Sequence, residues 1–142
     1  MLRTAVSTPP VKHIAVLAAA ALVAFSFVPF PRPAATGPVA TALQSASSSD
    51  RAKVAAIYSA LAELIARDSG QLITTTAAWR AIYSDALRLA VGGTDFVGKY
   101  PGLDTAVEQV LAQHYPKDDL PIDAAMTAKI AAGMRAVEAQ CE

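Results

Sequence analysis

A chain of 142 residues has room for one small domain and an appendage, and although 54% of it is hydrophobic, 32 of its residues are alanine. Alanine favours helix over strand, so the composition points to an all-α body whose helices approach closely around a thin core. The formal charge of zero is a cancellation: residues 1–49 hold Arg3, Lys12 and Arg32 and no acid, whereas residues 50–142 set nine Lys or Arg against all twelve acids; a mildly acidic body without a basic stripe excludes nucleic acid as a partner.

Residues 1–13 form a short basic start. Residues 14–30, IAVLAAAALVAFSFVPF, run seventeen positions without a charge, with Lys12 before them and Arg32 after. As a helix this run would span ~25 Å, near the lower limit for crossing a bilayer core. It reads as an uncleaved single-pass anchor: Pro29, Pro31 and Pro33 end the helix. The excess of positive charge on the near side keeps the amino terminus in the cytoplasm and places the domain outside. The alternative is the core of a cleaved signal peptide followed by secretion, with imperfect small-x-small sites at 24–26 and 40–42. Both readings export the domain.

Residues 31–49, PRPAATGPVATALQSASSS, carry three prolines, four serines and no aromatic residue. That composition reads as a flexible tether with an r.m.s. reach of ~25 Å.

From Asp50 onward the period becomes helical. Over 50–70 the stripe is Val54, Ile57, Tyr58, Leu61, Leu64 and Ile65, with Ser49 or Asp50 as cap and Gly70 as stop. Over 74–92, one of Thr74 to Thr76 caps a helix with Trp79, Ile82, Tyr83, Ala86, Leu89 and Ala90 inward. From about Asp104 to Tyr115, the inner face is Leu103, Ala106, Val107, Val110, Leu111 and His114. Asp123 caps the last helix, which lines up Met126, Ile130, Gly133, Met134, Val137 and Cys141. Gly133 suggests a close helix–helix approach. Four such stripes are expected to close as a small antiparallel four-helix bundle.

Candidate chemistry is sparse. GGTDFVGKYPG at 92–102 contains the GxxxxGK half of a phosphate-binding loop. Tyr100 stands where a metal-binding Ser or Thr belongs, a helix precedes the loop where a strand should, and Pro101 follows, so no nucleotide is expected. Phe96 is expected to fold inward as a plug. An eleven-residue connection is long for a bundle, and such loops carry binding residues; Asp95, Lys99, Tyr100 and Asp104 are therefore the candidate binding positions. His114, the domain's one histidine, joins them through HYPKDD at 114–119, where Asp118 and Asp119 could make an acid–base or metal pair. Glu63, Glu108 and Glu138 read as solvated. Cys141 reads as the end of a buried stripe, or else as half of an intermolecular disulfide. No cofactor pattern is present.

The function this suggests is an exported or membrane-tethered helical module that binds another macromolecule, possible partners being the membrane through residues 14–30 and another envelope protein. The alternative is a minor enzyme or ligand-binding domain in which the 92–102 loop and His114, Asp118 or Asp119 share a pocket.

Overall fold

The computed structural model describes residues 35–90 and 92–142. The apolar run 14–30 lies outside them, and among the described residues no helix is long and apolar enough to cross a membrane. Among the described residues six helices form: α1 Pro38–Ala42, α2 Ser48–Asp68, α3 Thr76–Ala86, α4 Phe96–Lys99, α5 Leu103–Leu111 and α6 Ala124–Gln140. The only β pairing among the described residues is two isolated bridges, Thr75 with Pro121 and Ala90 with Thr94. The body is all-helical, as the alanine content implies.

Local chemistry sets the helix starts. Ser47 caps α2, its hydroxyl accepting from the Asp50 N–H at 3.1 Å, so the cap falls ahead of both expected residues, Ser49 and Asp50. Thr75 caps α3 by accepting from Ala78 N–H, and Asp123 caps α6 by accepting from Met126 N–H. Each side-chain oxygen satisfies one of the orphan donors of a first turn.

Two helix ends differ from the period-based expectation. α3 stops at Ala86, not at Gly92, because the chain then turns back on itself: Leu87 C=O accepts the Phe96 N–H at 2.9 Å, and Gly93 N–H donates to Ala90 C=O at 2.8 Å. Gly92 and Gly93 both have positive φ, which glycine adopts without a Cβ penalty. Once the helix ends the 3.6 period no longer applies, and Leu89, expected inside, is 77% exposed. α5 likewise ends at Leu111, after which a turn delivers Tyr115 to the core.

The larger correction concerns the tether. Residues 35–49 are part of the folded body, which extends over Ala34–Glu142 and not only from residue 50. Val39 and Leu43 are fully buried and Ala46 nearly so. The Val39 N–H donates to Gln140 Oε1 at 2.9 Å. α1 lies against α5 and α6. Burying two such side chains is worth about 1.5–3 kcal/mol each, which offsets the ordering cost of a segment whose average composition is that of a linker.

Packing is led by α2 against α6, followed by α1 against α5 and α5 against α6. The α6 stripe of Met126, Ile130, Gly133, Met134, Val137 and Cys141 is buried throughout. A methyl group at Gly133 would stand 3.0 Å from Leu111 Cδ2 and 3.4 Å from His114 Cβ, so glycine is what lets α5 approach. α3 joins chiefly through the fully buried Trp79 and the buried Tyr83. The loop 116–122 fastens its start: Thr76 N–H donates to Leu120 C=O, and Ile122 N–H to Thr74 C=O.

Leu43→Ala is expected to cost about 2–5 kcal/mol, the range for a buried leucine; a denaturant titration showing no loss would return residues 35–49 to the status of a tether. Cys141 is buried with its thiol donating to Val137 C=O at 3.3 Å, and burial, reinforced by Glu138, pushes the thiol up to about 12. A charged disulfide reagent at pH 8 should therefore leave the native thiol unmodified and label it promptly in denaturant.

Candidate functional site

The glycine-rich loop is built around one carboxylate. Asp50, in the first turn of α2, is buried, and its Oδ2 accepts from the Tyr100 hydroxyl and lies 2.7 Å from Lys99 Nζ. The ammonium also sits 5.8 Å from the centre of the Tyr100 ring. Phe96 is fully buried as a plug, its ring stacked parallel to that of Tyr100 with centroids 6.5 Å apart. Asp95 caps α4 by accepting the Gly98 N–H at 3.0 Å. The loop's donors are thus engaged by the chain's own acceptors: Gly98 N–H by the Asp95 side chain, Lys99 N–H by Asp95 C=O and Lys99 Nζ by Asp50.

The remaining sequence candidates lie elsewhere. Asp104 is exposed in the first turn of α5, where its carboxylate accepts the Thr105 N–H. His114 is half-buried against Gly133 of α6. Asp118 and Asp119 hold the start of α3: Asp118 C=O accepts from the Thr76 hydroxyl at 2.7 Å, and Asp119 Oδ1 from the Ala77 N–H at 3.2 Å. Residues 118–122 adjoin the far end of α2, where a methyl at Gly70 would strike Ile122 C=O. Asp50 and Asp68 mark the two ends of α2, eighteen residues or ~27 Å apart. The 92–102 loop and the 118–119 aspartates are therefore held at opposite ends of one helix and share no pocket. Among the described residues no cluster of three or more His, Cys, Asp or Glu is placed to hold a metal.

Two concavities were not visible in the sequence. One, of about 200 Å³, is lined by Arg80, Tyr83, Glu108, Tyr115 and Lys117. The Arg80 guanidinium lies 6.0 Å from the Tyr115 ring and donates to Pro116 C=O at 2.7 Å. Burial pushes the pKa of both phenols up, with Tyr83 adding to the effect on Tyr115 and Glu108 to that on Tyr83; neither can serve as a base near neutrality.

The other is a groove of about 510 Å³ along α2, closed on its far side by the 86–96 segment. Its floor is Leu61, Ala90 and Phe96, its walls include Ile57, Leu64 and the exposed Leu89, and Lys53 and Arg67 stand at its two ends. No carboxylate lines it. Ile57 and Leu64 were legible as apolar positions; that they are only half-covered was not.

No protein-family model, no curated protein and no solved structure matches the chain.

The Asp50 cluster makes a pH prediction. The Lys99 ammonium, then the Tyr100 hydroxyl, hold the Asp50 carboxyl below its ordinary 3.8. A depressed carboxyl contributes stability that is present above its unfolded value and lost as pH falls through the folded one. Asp50 in turn raises both Lys99 and Tyr100, whose contributions are present below about 10 and lost as pH rises further. Asp50→Asn should lower Tm at pH 7, and the gap from wild type should narrow as pH falls below about 4. A gap independent of pH would mean that the charge of Asp50 does not hold the loop.

Proposed function

We propose that the chain is a non-catalytic binding module, carried to or across a membrane by residues 14–30, that engages another macromolecule through the groove along α2. One observation carries the reading: Asp50, Asp95, Lys99, Tyr100 and Asp119 are engaged in internal contacts, whereas the groove leaves Ile57 and Leu64 half-covered and Leu89 open to solvent. Among the described residues the exposed large apolar side chains are Leu72 and Leu89, and Leu89 lines the groove. Contiguous apolar concavities on a folded domain mark binding surfaces more often than single exposed side chains do. On this reading α2, α3, α5 and α6 constitute an antiparallel four-helix core. The amino terminus lies in the cytoplasm with the body outside; secretion after removal of the leader leaves the same surface available. Joining the 92–102 loop to His114, Asp118 and Asp119 in a catalytic site finds no support in their positions.

A photoreactive side chain placed at residue 89, activated in intact cells, should give one discrete cross-linked species that Ala60→Glu in the groove abolishes; the same group at exposed Gln113 should give none. The native protein should sediment with membranes at full-length mass, or leave the cell at a mass lacking its first segment. A full-length product free in the cytoplasm would overturn the export half of the proposal, and an absence of cross-linking at residue 89 the binding half.

A further inference from the structure

Resting on the groove reading above, we infer that the groove's occupant is an amphipathic helix of a partner protein with an acidic residue near each end of its apolar stripe, the acids about four turns apart. Three features converge on this chemistry. Lys53 and Arg67 are fourteen residues apart on α2, so they stand ~21 Å apart, the length of a four-turn helix laid alongside. Ion pairs among the described residues join Lys99 to Asp50 and Arg135 to Glu138; neither end cation of the groove is in one. Between them Ala56, Ala60, Ala86 and Ala90 are among the lining residues, and side chains this small admit a helix at close interaxial distance. Leu61, Leu64 and Leu89 then receive apolar anchors at helical spacing.

The same charges disfavour a second copy of this chain. A two-fold pairing of α2 centred on Ala60, antiparallel, brings Lys53 against the partner copy's Arg67. A parallel two-fold pairing sets each cation against its own equivalent. Either isologous arrangement juxtaposes like charges at both ends of an otherwise apolar seam. An acyl chain would leave one of the two cations without a counter-charge, since it carries a single headgroup.

The test uses the full chain in nanodiscs of zwitterionic lipid, with empty nanodiscs as the blank, and fluorescent helical peptides of about twenty residues read by anisotropy. One peptide carries a Leu/Ala stripe with Glu fourteen positions apart; a second replaces both Glu by Lys; a third keeps two Glu but places them four positions apart. The first should bind at least ten-fold more tightly than either of the others. The doubly reversed variant Lys53→Glu/Arg67→Glu, both side chains exposed and so compatible with an unchanged circular dichroism spectrum and melting curve, should exchange the preference of the first two peptides. Equal binding of all three peptides overturns the acid-ended partner while leaving the groove a helix site. No peptide binding together with a persisting cross-link at residue 89 overturns the helical occupant but not the binding function. Concentration-dependent dimers abolished by Ala60→Glu, or a fatty acid retained through purification and lost in that variant, would each replace the inferred occupant with a different one.

Discussion

A chain built so largely of alanine has little side-chain volume with which to exclude water, and the fold follows from that shortage. Its helices must come close, as at Gly133, where Leu111 and His114 occupy the space a side chain would take. Trp79, Tyr58, Phe96 and Leu43 are the largest of the side chains drawn fully inward. Short apolar pairs that a richer core could leave outside are recruited as well. Val39 and Leu43 lie four residues apart on the single turn of α1, and together they close the space over α5 and α6. Small domains bury a lower fraction of their surface than large ones, so each such increment matters more here.

The same economy explains the polar interior. Asp50 is nearly buried yet has both a cation and a hydroxyl upon it, the condition under which a carboxylate can leave water at tolerable cost. Asp68 does the equivalent at the opposite end of α2, accepting the Leu72 and Ile73 N–H groups at 2.7 Å each. The central helix is thus anchored at both termini by an acid that organises the loop beside it, one loop being the glycine-rich connection and the other the entry to α3. Chemistry that looks available in a linear reading is committed to architecture.

What was legible in the sequence was periodic and local. The stripes of α2, α5 and α6 place most of their inward residues, Ile57, Leu64 and His114 being only half-covered, and Thr75 and Asp123 cap where a side-chain oxygen precedes an apolar period. What was not legible depended on partners far along the chain. The spacer reading averaged composition over nineteen residues, in which Pro, Ser and Ala outweigh the two side chains that matter. The end of α3 is decided by the Phe96 N–H reaching Leu87 C=O, a bond no helical period contains. Asp50 reads as a capping residue until Lys99 and Tyr100, about fifty positions later, are seen upon it. The groove was missed for another reason: an amphipathic stripe says which positions avoid water, not whether the neighbouring helix is wide enough to cover them.

The bond from Val39 to Gln140 spans 101 residues. A ribosome delivers α1 long before the surfaces on α5 and α6 that shelter it, so through most of its synthesis that segment has nothing to dock on, and closure of the body is a late, non-local event.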